Sequence, residues 1–127
     1  MRQTFVIDGR LDGLNEYVNA CRSHRRSGAR MKRDNQDIVL LYIKAAKLKP
    51  FDKAVNITYT FYEKPCEKNG AIRDKSNIAS FAVKVIEDAL QEAGIIENDN
   101  WKWIADYSCR FFRATENPRI VVELEEA

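Results

Sequence analysis

Between Asp74 and Asp99 the chain carries apolar residues at helical spacing, with carboxylates at both ends. Ile78, Phe81, Ala82, Val85, Ile86, Ala89, Leu90 and Ala93 recur at i, i+3, i+4 and i+7 steps, which sets all of them on one face of an α-helix. A stripe that wide has to be buried, so the rest of the chain must supply a surface to cover it. Ser76 or Asn77 can cap the start by accepting first-turn N–H bonds, and Gly94 can take the left-handed conformation that ends the helix. Asn77, Lys84 and Asp88 stay within about 40° of one another around the helix axis and form a polar side next to the stripe. The residues after Gly94 reach about 17 Å if extended, against a helix about 24 Å long. A return path along the helix can therefore carry Asp99 to its middle or N-terminal half, towards Asp74.

The remaining elements read as strands and one further helix. Thr4 to Asp8 and Ala54 to Tyr62 alternate apolar and polar residues, the second very cleanly through Val55, Ile57, Tyr59 and Phe61. Leu11 to Lys49 holds a loop followed by a helix, with Ile38, Leu41, Tyr42, Ala45 and Leu48 as its expected apolar positions; the helix ends before Pro50, because the residue preceding proline is pushed out of the α region. Glu63 to Arg73 reads as a loop with turn signals at Pro65 and Asn69-Gly70. Lys102 to Phe112 and Pro118 to Glu125 read as two strands joined in a hairpin, and Trp101 and Trp103 as core or interface anchors, with base stacking as the alternative. The expected architecture is α+β: one domain over residues 1–127, with a small, mostly antiparallel sheet packed against two main helices.

Composition narrows the function. Cys21, Cys66 and Cys109 are odd in number and lack C-x-x-C spacing, so neither a disulfide framework nor a zinc ribbon is indicated, and a reducing, cytoplasmic setting is expected. No apolar run approaches the roughly 20 residues that a membrane span needs, and no charged leader with an apolar stretch opens the chain, so no membrane partner is expected. The formal charge of +2 hides an uneven distribution: Arg22, Arg25, Arg26, Arg30, Lys32 and Arg33 share an acid-free run, while Glu123, Glu125 and Glu126 form an acidic tail. The run is either a solvated helix end or a contact for the nucleic-acid backbone. His24, the sole histidine, reads as one more polar surface group within it. Phosphate-binding glycine loops and nucleophile elbows are absent from the sequence, which leaves the carboxylates as candidate chemistry.

The order of these features resembles the RusA family of Holliday-junction resolvases. The family pattern is D-x-D-N opening a helix, a lysine further along it, D-A-L, and a Gly-hydrophobic-hydrophobic-x-D-D turn. Here it falls on Asp74-Lys75-Ser76-Asn77, Lys84, Asp88-Ala89-Leu90 and Gly94-Ile95-Ile96-Glu97-Asn98-Asp99. The segment Gly9 to Tyr17 also looks like the family's stretch after its first strand, so the resemblance spans about Phe5 to Trp103. Ser76 and Asn98 stand where the family has aspartates, and the Asn77-to-Lys84 interval is about one helical turn longer than the family's; the alternative register puts Ser80 in the motif. The resemblance implies a homodimeric, Mg²⁺-dependent endonuclease, of a kind common in phage and prophage genomes, that nicks four-way DNA symmetrically; Mn²⁺ is a natural substitute. It implies Asp74, Asp88 and Asp99 as metal ligands, with support from Ser76, Asn77 or Asn98, and Lys84 as a further catalytic group beside the carboxylates. The basic run from Arg22 to Arg33 would then contact DNA phosphates. The alternative is a non-catalytic DNA-binding protein that kept the fold and lost part of the ligand set.

Overall fold

In the computed structural model, which describes residues 1–127, the chain runs β1 (Arg2–Asp8), α1 (Leu14–Ser23), α2 (Ser27–Ala45), β2 (Val55–Glu63), α3 (Lys75–Glu92), β3 (Ile104–Arg113) and β4 (Arg119–Glu126). The four strands make one sheet in the order β1-β4-β2-β3. β4 pairs antiparallel with both β1 and β2, whereas β2 and β3 are parallel. The sheet is thus mixed, and the expected β3–β4 hairpin does not form. Its place is taken by a crossover: α3 carries the chain from the end of β2 back to the start of β3, as a parallel pair requires, and β4 then inserts between β1 and β2.

The register gathers the buried apolar positions of β1, β2 and β4 on one side, while Val6 and Phe112 face outward. Phe5 and Ile7 face Val122 and Ile120 across β1 and β4, and Ile57, Tyr59 and Phe61 face Leu124, Val122 and Ile120 across β2 and β4. All of these are buried, and they join the α3 stripe in one core. Ile78, Phe81, Ala82, Val85, Ile86, Ala89 and Leu90 are buried as their spacing requires, while Ala93, just past the helix, is exposed. Gly94 ends α3 with φ +74°. Its N–H donates to the Gln91 carbonyl at 3.0 Å and the Ile95 N–H to the Leu90 carbonyl at 2.9 Å, a Schellman closure that tucks Ile95 and Ile96 into the core.

Three helices form where two were expected. α1 occupies part of the stretch read as loop; it buries no residue completely and rests on α2 and α3, its Tyr17 ring stacking on Phe81 of α3 at 4.5 Å. The buried face of α2 is also offset from the expected one: Asn35, Gln36, Val39 and Ile43 are buried, whereas Ile38 and Leu41 are 41% and 68% exposed. Asn35 is tolerated inside because its carboxamide donates to Asp12 at 2.7 Å and to the Met31 carbonyl at 2.8 Å and accepts the Asp12 N–H at 3.0 Å. Trp101 is no core anchor, being 97% exposed; Trp103 is half-buried. No helix is long and apolar enough to cross a membrane.

Candidate active site

α3 places Lys84 and Asp88 one turn apart on the same side, and the Gly94 turn returns the chain along the helix so that Asp99 reaches them. The Lys84 ammonium lies 3.1 Å from Asp88 Oδ1 and 2.7 Å from Asp99 Oδ2. On the far side of Asp88, Lys32 from α2 brings its Nζ to 2.6 Å of Oδ2. The result is a chain of alternating charge, Lys32, Asp88, Lys84 and Asp99, assembled from two helices and a loop.

The two inner groups, Lys84 and Asp88, are shifted by their neighbours. Hydrogen bonding to Asp99, then to Asp88, raises the Lys84 pKa against the opposing effect of burial. Burial alone would raise the Asp88 carboxyl, but hydrogen bonds from Lys32 and Lys84 reverse this and hold it below the usual carboxylate range. Glu87, the neighbouring residue, moves the other way: burial pushes its carboxyl up, and the nearby Asp99 charge adds to this. The Tyr59 hydroxyl donates to Glu87 Oε2 at 3.2 Å. Tyr59 is itself fully buried, and burial with the adjacent Glu87 charge raises its phenol pKa well above the ordinary value.

Two shallow cavities meet at Glu87. One, of about 290 Å³, is lined by Glu87, Asp99, Asn100, Trp101, Asp106 and Tyr107 among others. The other, of about 360 Å³, includes Ser80, Lys84, Glu87, Tyr107 and Cys109. Ser80, which the alternative register sets in the place of the family's lysine, lines the same cavity as Lys84.

The other sequence candidates are placed elsewhere. Asp74 is the exposed N-cap of α3 and makes no side-chain cap bond; about 15 Å of helix separates its backbone from that of Lys84. No three His, Cys, Asp or Glu side chains converge as a metal-binding group, so Asp74 does not join Asp88 and Asp99 within one chain. Ser76 is exposed. Asn77 caps another helix rather than its own: its Oδ1 accepts the Asn15 N–H of α1 at 2.8 Å. α1 needs this, because its N-cap residue is Gly13, and a Cβ there would lie 2.7 Å from Asn77 Oδ1. Asn98 Oδ1 accepts the Asp99 N–H at 2.7 Å and so shapes the loop that presents Asp99.

The basic run is divided by the fold. Arg22, Arg25, Arg26 and Arg30 are exposed on the α1–α2 turn with no acidic partner, whereas Lys32 is paired to Asp88 and Arg33 is paired to Asp37 at 2.7 Å and to Glu92 at 2.8 Å. The His24 imidazole accepts the Arg26 N–H at 3.2 Å and closes that turn. Glu87 and the part played by Lys32 escaped the sequence reading. Glu87 had one signal, its seven-residue step from Ser80; Lys32 had none, since its partner lies on another helix.

Asp88 and Asp99 converge on a single cation, the Lys84 ammonium, and two hard carboxylates so arranged fit Mg²⁺, which is commonly held by one or two carboxylates with its waters retained. The family model that describes endodeoxyribonuclease RusA matches residues 15–125. No curated protein matches the chain.

Proposed function

The chain belongs to the RusA family of endodeoxyribonucleases, and on that premise we propose that it resolves four-way DNA junctions by Mg²⁺-dependent, symmetric nicking of two strands as a homodimer. The observation that carries the reading is the Lys84 ammonium seated between Asp88 and Asp99. Asp88 and Asp99 would hold the metal, which supplies an activated water and stabilises charge on the phosphate. Lys84 adds a cation for the same phosphate, with more than half of its side chain open to solvent. Lys32 keeps Asp88 ionised and in place. Arg22, Arg25, Arg26 and Arg30, free of acidic partners, grip the DNA backbone. A junction with two equivalent strands to cut calls for two equivalent sites, which a two-fold dimer provides.

Incubation with a synthetic four-way junction and Mg²⁺ or Mn²⁺ tests this: paired, symmetric nicks that vanish in EDTA are expected, together with a dimeric mass by light scattering. Single random nicks, or a monomer in both the free and the DNA-bound state, contradict it.

A second reading is favoured by a specific observation, the separation of Asp74 from Asp88 and Asp99, together with Ser76 and Asn98 at the family's aspartate positions. Under it the protein binds branched DNA without cutting. A parent that binds junctions but never nicks them, while Ser76→Asp gains cleavage, decides for this reading.

A further inference from the structure

Trp101 is the most exposed large apolar side chain of the molecule, 97% open to solvent two residues beyond Asp99. An indole held so far out of the core contributes nothing to folding through burial. It nevertheless lines the cavity of about 290 Å³ that contains Asp99 and Asn100, and Tyr107, itself 52% exposed, lines the same cavity. We propose that Trp101 and Tyr107 form a stacking platform for one unpaired DNA base, held beside the Lys84–Asp99 pair. The proposal rests on the junction-nuclease reading and adds to it the way the strand is positioned at the cut.

Three features select a base over other occupants. A planar aromatic face accepts any base, with stacking worth about 1–3 kcal/mol for each, and a cavity of this size, near the lower bound of ligand pockets, has room for one. The walls also carry Glu87, Asp99, Asn100 and Asp106, polar groups unsuited to sealing an apolar subunit contact but able to meet the edge of a base. A dimer interface, in turn, needs roughly 800 Å² from each partner, while the neighbours of Trp101 are the exposed polar residues Asn100 and Lys102. A four-way junction offers bases at its crossover whose stacking is already interrupted, so one can leave the helix at reduced cost.

The test compares the parent with Trp101→Ala and Trp101→Phe on a synthetic four-way junction in EDTA, reading affinity, salt dependence and tryptophan emission. Quenching of emission on binding by the parent is expected, and its loss in Trp101→Ala. The alanine variant should bind on the order of tenfold more weakly with an unchanged slope of log affinity against log salt, because stacking releases no counterions; phenylalanine should recover most of the loss. Equal affinity of Trp101→Ala, or quenching that persists in it, overturns the stacking proposal and leaves the junction-nuclease reading standing. A fall from dimer to monomer in Trp101→Ala makes the indole a subunit contact and also overturns it. If the parent binds no junction at all, the functional reading fails first and the stacking platform with it.

Discussion

Lys32 on α2 and Asp88 on α3 are joined by a contact of 2.6 Å, with both side chains at least two-thirds shielded from solvent. This contact links the helix that follows the arginine-bearing turn to the helix that carries the carboxylates. It also fixes one oxygen of Asp88, so that the other points to Lys84.

Asp88→Asn should therefore destabilise the fold in a pH-dependent way. The Asp88 carboxyl lies below its ordinary 3.8 in the folded protein, so its stabilising effect is fully present above that value and fades as pH falls through the depressed one. Chemical denaturation should give a deficit of about 1–3 kcal/mol for the variant at neutral pH, shrinking towards zero in strong acid. A deficit that ignores pH would show that packing, rather than charge, sets the cost.

Glu87→Gln should behave in the opposite sense. The Glu87 carboxyl is raised above its ordinary 4.5, so the folded state retains the proton longer than the unfolded one, and the parent loses stability as pH rises from 4.5 through the raised value. Glutamine keeps an acceptor for the Tyr59 hydroxyl and removes that loss. Thermal melts across this window should show the variant gaining on the parent as pH rises; parallel melting curves would count against the raised carboxyl.

Cleavage should separate the two ends of α3. Asp99→Asn should lower junction cutting on the order of a hundredfold or more with binding preserved or tightened, since the amide keeps the shape but not the charge that holds a divalent cation. Asp74→Asn, an exposed N-cap about 15 Å of helix from Lys84, should cost less than about tenfold. Equal losses in single-turnover assays would mean that Asp74 reaches the site, for instance from the partner in a dimer.

Replacing Arg25, Arg26 and Arg30 together by alanine should weaken junction binding and reduce the slope of log affinity against log salt by about 2 to 3, near 0.9 for each phosphate contact removed. Fluorescence anisotropy over a salt series measures it. An unchanged slope would assign the turn to solvent.

Asn77→Ala should remove the cap of α1 and cost about 1 kcal/mol of stability. Cleavage measured well below the melting temperature should change little, because Asn77 contacts Gly13 and Asn15 rather than Lys84 or Asp99. A large loss of activity in a folded Asn77→Ala protein would return this residue to the site.

What could be read from the sequence was whatever repeats locally. The α3 stripe and the alternation of β2 are each written in consecutive residues, and so were found with their boundaries nearly right. The buried face of α2 was displaced because Asn35 and Gln36 lie inside while Ile38 and Leu41 lie outside, an exchange licensed by the bonds of Asn35 to Asp12, which no periodicity encodes. α1 was missed because it buries nothing fully, and its cap is borrowed from Asn77. The β3–β4 hairpin was inferred from adjacency in the chain, yet β4 finds its partners in β1 and β2. At the site, the Lys84-to-Asp88 step was visible as helix geometry and the return of Asp99 as a reachable distance. Lys32, Glu87 and Tyr59 converge only through tertiary packing, and Trp101 pointed outward where hydrophobicity alone placed it inside.

The position of β4 has a consequence for the order of folding. β1, the first strand of the sheet in chain order, pairs with no strand but β4, the last of the four. Until residues 119–126 are in place, β1 has no hydrogen-bonding partner and β2 keeps an open edge, and Tyr59, which braces Glu87 at the site, sits on that unfinished strand. Closing a sheet from its two most distant segments is slow, so the insertion of β4 is a late step of folding. The brace beneath Glu87 is therefore finished only when β4 has filled the gap between β1 and β2.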